Sequence, residues 1–147
     1  MNKIYLGMGC FWSAQHIFQK YMPEKNINVG YIDGIEVVEI PYHSSELDKI
    51  LKIFYENHSF SIKEIPQKYK STIFFTDKND YNYLKLTFNY YNMQIKKSGN
   101  RGYHNTEIKL LTNFIIADEH HQNYLKKNPD VHCVLGFNGV EYWHNNK

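Results

Sequence analysis

The stretch Gly7-Met8-Gly9-Cys10-Phe11-Trp12-Ser13 puts a thiol where an apolar strand ends in a glycine turn and a helix begins. A helix start leaves backbone N–H groups unpaired and carries partial positive charge, so a cysteine there is biased towards thiolate, the reactive form. Phe11 and Trp12 could wall an apolar pocket beside it. The competing reading makes Cys10 a small buried hydrophobe, as many intracellular cysteines are.

A second group with chemistry is Glu36. Asp33-Gly34 is a strong two-residue hairpin signal, because both positions tolerate the positive φ of a type I′ turn. With those two residues as the loop, Ile32 faces Ile35 and Tyr31 stands opposite Glu36, their Cβ atoms about 5 Å apart on one face. Glu36 sits among Ile35, Val37, Val38 and Ile40, where desolvation favours the protonated carboxyl and so makes a general acid. The alternative is an exposed edge position on a one-sided hairpin. A second thiol, Cys133, lies in a glycine-punctuated tail with Gly136 and Gly139. Two thiols and a proton donor suit a chemistry in which a thiolate attacks an electrophile, becomes a sulfenic acid and is resolved as a disulfide.

The elements that must position these groups follow from hydrophobic period and turn residues. Lys3 to Met8 reads as a strand, and Phe11, Ala14, Ile17, Phe18 and Tyr21 recur at helical spacing until Pro23. Asn26 to Ile32 and Ile35 to Tyr42 form the hairpin, left at Pro41. Ser45 to Asn57 is a helix with the stripe Leu47, Ile50, Leu51 and Phe54 and a capping box from Ser45 to Asp48. A strand is predicted over Tyr69 to Phe75. A helix follows, capped by Asp80, with the stripe Leu84, Phe88, Tyr91 and Ile95 and a stop at Gly99. Thr106 to Leu111 reads as a strand and Ala117 to Lys127 as a helix ended by Asn128-Pro129. Strands and helices mix without strict alternation, which predicts one α+β layer structure rather than a doubly wound parallel sheet. The 147 residues suit a single domain, with 130–147 a tail carrying Cys133.

Composition excludes several classes. A net charge of +2 with 22% charged residues gives no phosphate-tracking surface, so nucleic acid is a poor partner. The N-terminus is too short in apolar residues for a signal peptide, and no segment approaches the ~20 apolar residues of a membrane span, so a cytoplasmic location is expected. In that reducing compartment two cysteines are catalytic or spare rather than a structural disulfide. Of the eight histidines, His120 and His121 are adjacent and point about 100° apart on a helix, so with His132 and Cys133 they make a poor metal site. Gly7-x-Gly9 lacks the third glycine and acidic partner of a dinucleotide loop, and neither metal nor cofactor is expected.

Gly9-Cys10-Phe11-Trp12 after a strand resembles the nucleophile motif of the A-type peptide methionine sulfoxide reductases. Glu36-Val37-Val38-Glu39-Ile40 is similar to that family's strand with the catalytic glutamate. Gln67-Lys68-Tyr69-Lys70-Ser71, with Ile73 and Phe74, resembles its Gln-Tyr-Arg-Ser strand. Ala117-Asp118-Glu119-His120-His121-Gln122-Asn123-Tyr124, then Lys127-Asn128-Pro129, resembles its late helix, and Cys133 falls where a resolving cysteine lies. The resemblance covers nearly the whole chain. It implies a reductase of the S epimer of methionine sulfoxide, free or in peptides, in a compact two-layer α/β roll with a mixed, largely antiparallel sheet; a monomer is expected. By the same resemblance, Cys10 attacks sulfur, Phe11 and Trp12 hold the methyl group and Glu36 protonates the oxygen that Tyr69 also binds. Glu64 stands at an orienting aspartate, and Cys133 resolves the sulfenic acid for a thioredoxin-like reductant.

Departures from the pattern are specific. The tight Asp33-Gly34 turn replaces a longer segment that carries a second oxygen-binding tyrosine, and Tyr31 is the candidate substitute. Ser13, His120 and Ser59-Phe60 replace other family residues, and a second tail cysteine is absent. Two further readings stay open: a peptide-binding module of the same fold, and a thiol enzyme acting on another electrophile.

Overall fold

The run Ile35–Tyr42 is apolar at nearly every position, which is how a strand reads when both of its faces are covered. It is the centre of the sheet. The computed structural model describes residues 2–58, 66–97, 105–131, 133–134 and 141–142. In chain order these form β1 (Asn2–Gly7), α1 (Phe11–Tyr21), β2 (Asn28–Ile32), β3 (Ile35–Tyr42), α2 (Leu47–Glu56), β4 (Thr72–Phe75) and α3 (Tyr81–Lys97). β5 (Glu107–Leu110), β6 (Ile115–Ile116), α4 (Tyr124–Lys127), β7 (Cys133–Val134) and β8 (Glu141–Tyr142) follow.

Six strands make one sheet in the order β5-β4-β1-β3-β2-β6, antiparallel throughout except for the parallel β4–β5 pair. The α+β class and the mixed, largely antiparallel sheet are as the sequence implied. Period-two alternation divides β3 between two cores. Val38, Ile40 and Tyr42 join Ile4 and Leu6 beneath Phe18 of α1 and Ile50, Leu51 and Phe54 of α2. On the reverse face Tyr5, Ile32, Ile35, Val37 and Phe74 are covered by Leu111 and Phe114, from the segment between β5 and β6.

The hairpin turns as its residues require: Asp33 and Gly34 have φ of 52° and 80°, and the register pairs Ile32 with Ile35 and Tyr31 with Glu36.

Other elements differ from expectation. Pro41 does not end β3, which pairs with β1 through Tyr42. The capping box before α2 joins His43 to Glu46, not Ser45 to Asp48. Asp77, rather than Asp80, caps the entry to α3 by accepting from Asn79 N–H, while Asp80 accepts from the Tyr42 hydroxyl. Residues Gln67–Tyr69 form a 3₁₀ turn and the strand begins only at Thr72, since pairing with β5 starts there. The expected helix over Ala117 to Lys127 is divided into a 3₁₀ turn, Glu119–His121, and the short α4. Asn123 breaks it with φ of 57°.

Glu64, Ser59, Phe60, Gly99, His132, Gly136 and Gly139 lie outside the described residues, as do the side chains of Ile95 and Cys133. Cys133 itself is placed in β7, which pairs with β8 and lies beside α1. Among the described residues no helix is long and apolar enough to cross a membrane, and no cluster of three or more His, Cys, Asp or Glu is placed to hold a metal ion.

Candidate active site

Cys10 is the N-cap of α1: its backbone is extended and its carbonyl accepts the first helical hydrogen bond, from Ala14 N–H at 3.2 Å. The thiol is buried. Two glycines make this entry. Gly9 has φ of 98°, a left-handed conformation that costs glycine least. A Cβ on Gly7 would stand 2.7 Å from the Lys70 carbonyl, so the bare backbone lets β1 run close beneath the 67–69 turn.

Glu36 reaches across to this helix start. Its Oε1 accepts the Phe11 backbone N–H at 3.1 Å, satisfying one of the orphan donors of α1 and fixing the carboxyl next to Cys10. Burial raises its pKa above the usual carboxylate range, opposed by the Phe11 N–H and the charge of Lys68. Burial here acts in the direction expected of a carboxyl on an apolar hairpin. Tyr31, opposite Glu36, packs its ring 5.4 Å from that of Phe11. Burial first and the Glu36 charge second push its phenol pKa up, which keeps it a donor.

The third side of the site is the 3₁₀ turn. Tyr69 is half-buried, and its phenol pKa is raised by burial and then by the charges of Glu36 and Cys10. Thus Cys10, Glu36, Tyr31 and Tyr69, named from the sequence, converge. Lys68 on the same turn joins them, a residue that sequence alone does not single out because an isolated surface lysine carries no motif.

The fourth side is aromatic. Trp12 is sandwiched against Tyr124 with ring centroids 3.7 Å apart and planes 8° from parallel, and its indole N–H donates to His121 Nδ1 at 3.1 Å. His121 also lies 5.4 Å from the Phe11 ring. Accepting at Nδ1 places its proton on Nε2, and burial, then His120, lowers its pKa, which preserves that acceptor.

Gln122 holds the whole segment in place. Its Oε1 accepts from Val29 N–H at 3.0 Å and its amide donates to the Val29 carbonyl at 2.9 Å, so one side chain continues the β2 edge as a strand would. Gln15 of α1 ties in the same segment by accepting from Asn123 N–H at 2.7 Å. His121, Gln122 and Tyr124 were visible only as part of a His-Gln-rich stretch; their roles depend on docking against β2 and α1.

The assembly offers a buried thiol at a helix start, a half-buried carboxyl of raised pKa, two phenols and an apolar wall. Such a site can attack a soft electrophilic centre while protonating an oxygen attached to it.

Comparison with known proteins points the same way. A family model described as peptide methionine sulfoxide reductase matches residues 34–146. The peptide methionine sulfoxide reductase MsrA of Mycoplasma genitalium is 29% identical over 93% of this chain and 99% of its own length. That of Photobacterium profundum is 30% identical over 95% of this chain and 77% of its own. Among solved structures, Mxr1 from Saccharomyces cerevisiae in reduced form superposes with a TM-score of 0.76 at 25% identity, covering 88% of this chain and 86% of that one. Methionine sulfoxide reductase A of Corynebacterium diphtheriae shares the fold, with a TM-score of 0.74 at 24% identity over 95% of this chain and 80% of that one.

Proposed function

Because the chain belongs to the peptide methionine sulfoxide reductase family and reduces methionine sulfoxide, we propose that Cys10 is its nucleophile and Glu36 its acid. The Cys10 thiolate attacks the sulfoxide sulfur and Glu36 gives its proton to the oxygen. The sulfur–sulfur bond formed in the attack then breaks as the hydroxyl passes from the substrate sulfur to the Cys10 sulfur, leaving methionine, the Glu36 carboxylate and Cys10 as a sulfenic acid. Sulfur on the substrate is reduced by two electrons and the cysteine sulfur is oxidised by two. The Cys133 thiol then attacks the sulfenic sulfur, water leaves, and the Cys10–Cys133 disulfide is reduced by a thioredoxin-like dithiol.

The observation that carries this reading is the Glu36 carboxyl on the Phe11 N–H, one residue from the thiol. Tyr31 and Tyr69 hold the oxygen, and Phe11 and Trp12 receive the methyl group. We assign Glu64 the orienting role that its sequence position implies. The substrate is the S epimer, free or in peptides, and the enzyme works as a cytoplasmic monomer without metal or bound cofactor. Residues 1–147 act as one domain whose tail, 130–147, delivers Cys133. The placement of β7 beside α1 is consistent with that delivery.

Incubation with a methionine S-sulfoxide peptide and dithiothreitol tests the reading. The expected result is complete loss of sulfoxide with the wild type, none with Cys10→Ser, and the R epimer untouched. Without reductant, one equivalent should turn over and a peptide map should show Cys10 joined to Cys133. Persistence of the sulfoxide, or turnover undiminished in Cys10→Ser, would overturn it.

A further inference from the structure

We propose that Lys68 is a further catalytic residue of this site, its ammonium facing the Cys10 thiolate and donating to the sulfoxide oxygen beside Glu36. The proposal rests on the reading of Cys10 and Glu36 above and adds a group to the oxygen side of the pocket.

Two lysines on the same turn show why. Lys70 is paired with Glu107, which also binds Lys109 at 2.8 Å, so its charge is spent on a surface network. Lys68 has no carboxylate at ion-pair distance among the described residues. Its Nζ lies 4.8 Å from the ring centroid of Tyr69 and it hydrogen-bonds that side chain. Its charge acts on Cys10 and Glu36 as well as Tyr69, and on Tyr31 from across the pocket.

The backbone holds the lysine there. Tyr69 N–H donates to the Pro66 carbonyl at 3.0 Å and Lys70 N–H to the Gln67 carbonyl at 3.3 Å, closing the 3₁₀ turn. The bare Gly7 backbone lets that turn sit against the strand leading to Cys10.

The chemistry gives the ammonium work to do. A sulfoxide oxygen carries partial negative charge that grows as the thiolate adds to sulfur, and Glu36 has one proton to give. A positioned cation stabilises the charge as it develops. Lys68 keeps its own proton throughout, so the balance of the step is unchanged. The hairpin wall, closed by the two-residue turn Asp33-Gly34, contributes Tyr31, and Lys68 supplies a second donor from the opposite wall.

The test compares wild type, Lys68→Gln and Lys68→Arg, with folding checked by urea midpoint. It reads kcat/KM for a methionine S-sulfoxide peptide and the pH dependence of Cys10 alkylation by iodoacetamide. The groups around Cys10 in that titration are Glu36 and Tyr31 from the hairpin, Lys68 and Tyr69 from the turn, and His121 across Phe11 and Trp12.

Expected are a fall of about 10- to 100-fold in kcat/KM for Lys68→Gln, near the lower range for a lost oxyanion donor, and recovery to within about threefold in Lys68→Arg. The alkylation midpoint moves to higher pH in Lys68→Gln. Unchanged kcat/KM in Lys68→Gln overturns the proposal while leaving the reading of Cys10 intact. Equal losses in both variants with an unmoved alkylation profile also overturn it, as a structural effect. Absence of turnover in the wild type overturns the underlying reading instead.

Discussion

Glu36 and Glu39 lie three residues apart on β3, on opposite faces of the sheet, and each stands directly across from a tyrosine: Tyr31 on β2 and Tyr5 on β1. On the reverse face the pair is closed. The Tyr5 hydroxyl donates to Glu39 Oε2 at 2.8 Å, Asn28 donates to Oε1 at 3.1 Å, and the Lys3 ammonium is 3.6 Å away. On the helix face Glu36 accepts, among the described residues, a single hydrogen bond from the Phe11 backbone. The side-chain types and the register geometry are the same in both places. What differs is that α1 begins over Glu36 and supplies one donor plus a thiol, whereas Glu39 meets a full set of donors. A carboxylate whose acceptors are all engaged holds structure. One that is half-buried and partly satisfied has its pKa raised, which suits it to giving up a proton.

Exchanging the two carboxylates for amides breaks the comparison most sharply. Glu36→Gln should lower kcat by about 10²- to 10³-fold, the range for loss of a general acid, while Glu39→Gln leaves kcat within about threefold of wild type, one hydrogen bond's worth or less. Steady-state reduction of a sulfoxide peptide checks both, and equal losses would erase the distinction.

The pH dependence is next. The Glu36 pKa is raised in the folded state, so the acid form is present below that value and kcat should decline as pH rises through it. The linkage has the same sign: the folded state binds the Glu36 proton more tightly than the unfolded chain. Ionised Glu36 therefore opposes folding above the unfolded carboxylate pKa, increasingly up to the folded one. Glu36→Gln should accordingly be at least as stable as wild type at neutral pH by urea unfolding, against its loss of rate.

The tyrosines give the smallest effects. Tyr31→Phe is expected to reduce kcat/KM about tenfold, the equivalent of one hydrogen bond of about 1.4 kcal/mol, with little change in stability. Tyr5→Phe should leave kcat/KM intact and cost about 1–3 kcal/mol of folding free energy, because buried Glu39 loses a partner. Undiminished turnover in Tyr31→Phe would leave Tyr69 and Lys68 as the oxygen-side donors.

Much of this was legible in the chain because it depends on short-range rules. Asp33-Gly34 specifies its turn, the turn specifies the register, and the register alone sets Tyr31 beside Glu36. The glycines around Cys10 mark the strand-to-helix corner in the same way. Tyr69 was expected in a strand but lies in a 3₁₀ turn, because that turn depends on where β5, over thirty residues later, begins to pair. The helix expected over Ala117 to Lys127 failed for a similar reason. Gln122 gains more from bonding Val29 on both sides than a helical turn would give it, and no local pattern records that partner.

The sequence by itself determined the thiol at a helix start, the hairpin that aims a phenol and a carboxyl at the same face, and the α+β class, since each follows from residue period and turn chemistry within about ten positions. Only the tertiary structure decided that Glu36 is held by the Phe11 N–H while Glu39 is closed off, that Trp12 is clamped by His121 and Tyr124, and that Lys70 is paired with Glu107 while Lys68 lies over the Tyr69 ring. Those outcomes depend on which distant donors and rings come within hydrogen-bond or van der Waals reach. That reach is set by how α1, the 67–69 turn and the 117–127 segment pack on one sheet.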